Sequence, residues 1–329
     1  MLRLLKNQIT PLFVFDGTPP EEKNITLLER KEKKEILNIK KTIYEYSINA
    51  DKSNIDIFKE NINNIIVSKN NNFRFDDTEI KELYEKSKEE LEYECEKIKR
   101  KIIYVTNYHI ESSKKLFDLF GIPYIHENCE AESLMSLLSR NNIVQACITE
   151  DMDSLPCGTT LLLRNFSADK SFVEEYCLNG ILSNLEITLD EFIDVCILCG
   201  CDYTEKINLL GPVSALSIIK KYKNIEAFLK ENTKYNIPEH FIENYQRARY
   251  LFNNPISAEI YNNINKKIMC NKPNINELKD YLNNCSLKEK YIKEINENLM
   301  NYYININGIY YFDDEIEKKK KPKKITDFF

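Results

Sequence analysis

Four carboxylates in the stretch Cys129–Asp153 have the type and spacing to hold a cation: Glu130 and Glu132, then Asp151 and Asp153. Ionised carboxylates gathered in one small volume repel one another unless they share a positive charge. An all-oxygen donor set of this kind suits a hard divalent ion such as Mg²⁺ or Mn²⁺. The plainer alternative is a solvated acidic surface. What lies between the pairs argues for convergence. Ala131 to Ser139 carries apolar residues at helical spacing, and Ile143 to Ile148 is an apolar run of strand length that ends in Thr-Glu-Asp-Met-Asp. The first pair would then open a helix, where the macrodipole favours negative charge, and the second would close a strand, where residues i and i+2 face the same side.

The flanking elements supply further chemistry. Leu12 to Phe15 reads as a buried strand ending at Asp16-Gly17, and ends of parallel strands are where ligand sites of open α/β sheets collect, although a plain Asp-Gly turn fits as well. Glu21 to Lys41 is helical and cation-rich, a candidate phosphate-facing element. The Asn-rich stretch from Asn61 to Asn72 is expected to be mobile, and Ile80 to Ile98 to form one helix. Val105 to Phe120 and Leu189 to Cys199 read as helices, the latter with a Thr188/Glu191 capping box. Ile122 to Ile125 and Leu161 to Arg164 read as strands. Such alternation predicts an α/β fold with a mostly parallel central sheet flanked by helices. Asp202 follows the Leu189–Cys199 helix, and Leu210-Gly211-Pro212 breaks the chain before a short helix over Ala215 to Tyr222, giving a helix-hairpin-helix unit.

With 329 residues, 43% of them hydrophobic, the chain can bury a full core. No run of about 18 apolar residues and no signal-peptide pattern occurs, so an intracellular protein is expected. The ten cysteines are scattered. Cys196-x-x-Cys199-x-Cys201 lacks a second pair or a nearby His, so buried thiols are expected rather than zinc. The net charge of −6 disfavours nucleic acid as a partner unless cations are segregated from the acidic cluster. At the end of the chain, a charge run over Glu315 to Lys324 precedes Ile325-Thr326-Asp327-Phe328-Phe329. The run reads as a disordered tail suited to nuclear targeting or nucleic-acid contact, and its apolar tip as a plug for a partner's groove.

Taken together, PLFVFDGTPP with Lys23 and Arg30, KKLFDLFGIPYI, CEAES, ITEDMDSL and FIDVCILCGCDYTEKINLLGP resemble, in order, the flap endonuclease family of structure-specific 5′ nucleases in the XPG/Rad2-like superfamily. The resemblance implies a PIN-like nuclease domain over residues 1–312. Its core would comprise 12–20 and 102–210, its helical arch 21–101, its helix-two-turn-helix unit 200–222 and a helical part 223–312. A tail over 313–329 would follow. It further implies two Mg²⁺ or Mn²⁺ ions on Asp16, Glu130, Glu132, Asp151, Asp153 and Asp202, with Lys23 and Arg30 as catalytic cations. Duplex would bind at the hairpin through Gly200, Gly211, Lys220 and Lys221, aided by K⁺. The expected substrate is DNA bearing a 5′ flap. Ile325, Phe328 and Phe329 would engage a sliding clamp, and the protein would act as a monomer in the nucleus or another replication compartment.

Four departures from the family pattern carry expectations of their own. The family has, ahead of the position of Met1, a segment with a strand bearing another metal-binding Asp; if the sequence is complete, weakened metal binding or no activity is expected, and if it is a fragment or a misplaced start, activity is restored upstream. The hairpin has Leu209 at its first Gly position and Val213-Ser214 at its usual basic pair, which weakens duplex anchoring. Pro322 replaces the clamp motif's Gln, and the arch is long, with the Asn-rich insert at its tip. The missing strand motivates an alternative, a non-catalytic DNA-structure or clamp-binding protein. The altered hairpin motivates an RNA-cleaving or exonucleolytic branch of the same family.

Overall fold

The computed structural model describes residues 1–69, 73–166, 172–253, 256, 264, 268 and 270–306. It comprises two compact units, Met1–Glu22 with Ile110–Phe329, and Lys23–His109. Among the described residues no helix is long and apolar enough to cross a membrane.

The larger unit begins with α1 (Leu2–Lys6) and β1 (Phe13–Phe15). It resumes with α6 (Asn107–Phe120, which starts in the smaller unit), β2 (Tyr124–His126), α7 (Ala131–Arg140), β3 (Cys147–Ile148), β4 (Leu161–Arg164) and β5 (Glu174–Cys177). The rest is helical: α8 (Leu178–Leu185), α9 (Leu189–Cys199), α10 (Pro212–Tyr222), α11 (Ile225–Glu231), α12 (Glu239–Asn253), α13 (Ile275–Asn284) and α14 (Glu289–Ile306). This is the expected α/β class with parallel pairing, but among the described residues the pairing falls into two small sheets. β1 pairs β2 in parallel, Val14 opposite Ile125; β3 pairs β4 in parallel, and β4 pairs β5 antiparallel. An apolar cavity of about 660 Å³, lined by Phe13 and Val14 from the first sheet and Cys147 and Leu163 from the second, accompanies the split.

The strand expected over Ile143–Ile148 shrinks to Cys147–Ile148 for a local reason. Asn142 takes a left-handed φ of 56°, and the amides of Ile143 (2.9 Å) and Val144 (3.5 Å) both donate to Leu138 O. The chain is thus held in the helix C-terminal turn and starts the strand late.

Helices α9 to α12 bury one contiguous cluster, including Ile193, Ile197, Ile219, Phe228, Phe241 and Phe252. The predicted capping box is present: Thr188 Oγ1 accepts from Glu191 N at 3.2 Å, and Thr188 N donates to Glu191 Oε2 at 2.8 Å. That backbone donor holds the Glu191 carboxyl below its ordinary value of 4.5, and the Arg249 guanidinium does the same for Glu226. A carboxyl depressed in the folded state contributes stability above its unfolded value, and that stability is lost as pH falls through the folded value. The melting temperature is therefore expected to drop as pH is lowered from about 6 to about 3, the range in which glutamates titrate. Circular dichroism melts check this. Glu191→Gln should show a shallower fall; an equally steep one refutes its share.

The smaller unit is α-helical: α2 (Asn24–Asn49), α3 (Ile55–Ser68), α4 (Asp77–Glu85) and α5 (Lys88–Lys101), around Ile39, Ile43, Phe58, Ile62, Leu83 and Leu91. Two expectations are corrected here. Asn61 to Ser68 is not a mobile stretch but half of α3. Asn54 caps that helix by accepting from Asp56 N at 2.8 Å, while Phe58, Ile62 and Ile66, four residues apart, bury completely and override the low propensity of its asparagines. Residues 70–72 lie outside the described set. The single helix over Ile80–Ile98 is two helices, because Lys86 is extended and Ser87 with Glu90 forms a second capping box that starts a new one. Lys52 satisfies the end of α4 by donating to the carbonyls of Leu83 (3.2 Å) and Lys86 (2.6 Å).

Candidate metal centre

Asp16 leaves the end of β1 as its spacing predicts. A close backbone approach fixes its direction: Gly17 N donates to Cys129 O at 2.9 Å, and a Cβ at Gly17 would stand 2.1 Å from Glu127 O. Only glycine allows residues 16–17 so near the loop 127–129. As a result Asp16 Oδ1 accepts from Ala131 N, the first amide of α7, at 3.0 Å. Glu130 is the residue before that helix and Glu132 lies in its first turn, where the positive end of the helix offsets their charge.

The second acid pair does not sit on a strand end. Asp151 caps a short 3₁₀ turn, Met152–Ser154, by accepting from Asp153 N at 2.9 Å, and Asp153 lies within the turn. A serine stripe on α7 docks this turn. Ser136, fully buried, donates to Glu132 O (2.7 Å) and Ser154 O (3.1 Å) and shares a hydrogen bond with Thr159 at 2.8 Å; Ser139 does the same with Thr160 at 2.7 Å. Such buried, fully paired hydroxyls fix register between elements. They went unassigned in the sequence, where Ser133, Ser136 and Ser139 at intervals of three were a legible signal.

Three acids share one neighbourhood. Cys157 is pushed up to about 12, first by burial and then by the charges of Asp153, Glu130 and Glu132. Tyr203, one residue after Asp202 in the turn beyond α9, donates its hydroxyl to Glu130 Oε2 at 2.6 Å; burial and Glu130 raise its own value. Cys196 and Cys201 are likewise raised by burial, with Asp153 adding to both. Neutral thiols are poor ligands, so the donors here are carboxylates. All ten cysteines are free. Among the described residues, however, no three of His, Cys, Asp and Glu stand in ligating geometry around a point. Asp16, Glu130 and Asp151 each accept a hydrogen bond within the protein instead, from Ala131 N, the Tyr203 hydroxyl and Asp153 N respectively. The donor chemistry fits a hard divalent cation, and the fold concentrates the donors without closing them into a cage.

The hairpin presents a mixed surface. Gly200 ends α9 at φ +100°, a conformation that favours glycine, whereas Leu209 holds φ +62° with its side chain 96% exposed, a strain of about 1–2 kcal/mol for a residue with a Cβ. Gly211 precedes α10, and nothing lies within 4 Å of where its Cβ would be. Lys220 pairs with Glu186 at 3.6 Å, and Lys221 lies over the Tyr222 ring at 4.5 Å. Lys23 and Arg30 belong to the smaller unit, at the start of α2. Ile325, Phe328 and Phe329 lie outside the described residues.

The chain matches the XPG N-terminal domain over residues 1–36 and the XPG I-region over residues 121–202. It is 36% identical over 259 residues to flap endonuclease 1 of Aedes aegypti, covering 77% of this chain and 57% of that protein. To flap endonuclease 1 of Entamoeba histolytica it is 34% identical over 297 residues, 89% of this chain and 65% of that protein. The chain thus spans a little over half the length of the first of these relatives. In fold it is similar to flap endonuclease-1 from Methanococcus jannaschii, with a TM-score of 0.57 and 23% identity over 92% of this chain and 79% of that one. The catalytic core of Rad2 in complex with DNA substrate superposes with a TM-score of 0.59 at 20% identity, over 92% and 81%. By these matches the chain carries the XPG N-terminal and I-region segments and is similar over most of its length to flap endonuclease 1 of other organisms.

Proposed function

We propose that this chain is the nuclease portion of a structure-specific 5′ flap endonuclease that hydrolyses phosphodiesters at the junction of a DNA flap, using Mg²⁺, or Mn²⁺ in its place. The concentration of Glu130, Glu132 and Asp153 around Cys157, with Glu130 hydrogen-bonded to Tyr203, is the observation that carries it. When bound, two such ions would supply an acidified water and charge neutralisation at the scissile phosphate. Asp16, Glu130, Glu132, Asp151, Asp153 and Asp202 are the residues that would hold them. Tyr203 orients Glu130, and Gly17 lets Asp16 reach the start of α7. Lys23 and Arg30 would offer cationic charge to the phosphate as it develops negative charge. The open start of α10 at Gly211, with Gly200, Lys220 and Lys221, would meet duplex backbone, with K⁺ at the hairpin. A replication compartment is the matching setting.

Incubating the chain with Mg²⁺ and a double-flap oligonucleotide tests the reading. Incision at the junction supports it. Flap binding without turnover favours the non-catalytic reading, and equal rates on unstructured RNA favour an RNA-cleaving role. We assign Ile325, Phe328 and Phe329 to sliding-clamp contact on their sequence alone. Phe328→Ala with Phe329→Ala should abolish clamp capture while leaving oligonucleotide cleavage unchanged; undiminished capture refutes this assignment.

A further inference from the structure

The segment between Asp16 and α2 is tied to the larger unit at both ends. Near Asp16, Gly17 N donates to Cys129 O at 2.9 Å and Thr18 N donates to Asn128 Oδ1 at 3.3 Å, both in the loop that leads to Glu130. Pro19 and Pro20 follow, with φ fixed by their rings and no N–H to offer a neighbour. At the far end Glu22 Oε1 accepts from Arg247 Nε at 2.6 Å, across 225 positions of sequence. A strap held at both ends thus runs from a candidate metal ligand, Asp16, to the residue before Lys23.

The far tie has the features of an anchor. The Glu22 side chain is 17% exposed; burial acts to raise its carboxyl, yet the Arg247 hydrogen bond outweighs burial and holds the group below its ordinary value. The Arg247 guanidinium also lies over the Tyr250 ring, 4.9 Å from its centroid, which limits its swing. Helix α12 is a firm post for it, because Phe241, Tyr245, Ala248 and Phe252 are buried and Arg249 joins the helix to α9 and α11. Helix α2, by contrast, starts without the usual local fixings: its N-cap, Lys23, makes no side-chain cap bond, and its first turn holds no acid. Glu22 is the last residue of the larger unit and Lys23 the first of the smaller, so the Glu22–Arg247 pair stands where the chain passes from one to the other.

We propose that Arg247 is a positioning residue: through Glu22 it pins the exit of the chain from the larger unit and so sets where Lys23 begins α2. The role of Lys23 toward a phosphate rests on the nuclease reading; the anchor itself does not. A direct contact of Arg247 with DNA is a different role, and the two differ in sign at Glu22. Removing Glu22 breaks an anchor, but it also takes away a negative charge, which favours a polyanion if Arg247 acts on DNA by itself.

Single-turnover cleavage of a double flap in Mg²⁺, with the full chain at saturation, is the first readout. Arg247→Ala and Glu22→Ala should each slow it at least about tenfold, since a small misplacement of a charged group costs that much. The two losses should not add, because both remove one contact. Flap affinity in excess EDTA should stay within about threefold of the parent, which separates positioning from binding. Exchanging the charges, Glu22→Arg with Arg247→Glu, should restore cleavage to within about threefold of the parent. The second readout is hydrogen exchange on the chain without DNA. In Arg247→Ala the amides of Leu27 to Arg30, the first of α2 with intrahelical partners, should exchange at least about threefold faster. Glu22→Ala that cuts as fast as the parent while Arg247→Ala is slow assigns Arg247 to DNA and overturns the anchor. Additive losses, a charge exchange without rescue, or unchanged exchange at Leu27 to Arg30 overturn it too. A parent chain that cuts no flap removes the nuclease reading only, and hydrogen exchange then decides the anchor by itself. Far-UV circular dichroism verifies folding, and Arg247→Gln, closer in length, serves if the alanine variant unfolds.

Discussion

Changing Asp153 to asparagine is expected to lower junction cleavage at least about a thousandfold, since removing one charged donor from a metal site forfeits several kcal/mol of charge stabilisation. The substitution isolates charge from shape. The turn that carries Asp153 is held by other groups: Asp151 Oδ1 accepts its backbone N–H at 2.9 Å, Ser154 Oγ donates to Asp151 O at 3.1 Å, and Ser136 anchors Ser154 O at 3.1 Å. An asparagine keeps the size and the backbone contacts and loses the negative charge that Asp153 contributes beside Glu130 and Glu132. Two measurements check it: single-turnover cleavage of a double flap at saturating enzyme, and isothermal titration of Mn²⁺ into the chain without DNA. Cleavage should collapse and ion affinity should fall together. A variant that cuts within about tenfold of the parent, or that loses cleavage with ion binding intact, would remove Asp153 from the ligand set.

The second large effect concerns stability. Asp194 in α9 is 3% exposed, and its carboxylate accepts from Arg249 Nε at 2.7 Å, from Arg249 Nη2 at 2.9 Å and from Ile225 N at 3.1 Å. Arg249 in α12 also donates to Glu226 at 2.7 and 3.0 Å, so one guanidinium joins α9, α11 and α12. Burial pushes the Asp194 carboxyl up against the pull of Arg249, a sign that desolvation is substantial at this position. Asp194→Ala leaves the Arg249 fork half satisfied in a part-buried setting and should cost about 3–5 kcal/mol, read as a fall in the urea midpoint at constant slope. Replacing both partners, Asp194→Leu with Arg249→Met, should recover most of that loss, because a buried pair contributes little beyond an apolar one of similar volume. A single-variant loss below about 1 kcal/mol, in the range of an exposed ion pair, would show that the network is solvated in solution.

What the residues alone made legible was the local chemistry. The acid types, the helix opened by Glu130 and Glu132, the capping box at Thr188 and Glu191, and the break at Gly211-Pro212 each depend on neighbours within a few positions. Where local propensity met burial, burial won. The asparagines of α3 were carried into a helix by Phe58, Ile62 and Ile66, and the end of α7 delayed β3 through two amides that fold back on Leu138. The dependence of Asp16 on Gly17 was also out of reach, since the carbonyl that a Cβ would strike belongs to Glu127, over a hundred residues later.

The sequence by itself determined which groups are available: six carboxylates and a cation-rich helix. Tertiary structure alone decided how those groups meet. It placed Tyr203 on Glu130, set Ser136 between α7 and the Asp153 turn, and divided the parallel pairing into two sheets beside an apolar cavity. The physical reason is the range of the forces. Propensity, capping and turn chemistry act over a few residues and are written in order along the chain. Desolvation and charge act through space, between residues that only the folded chain brings together.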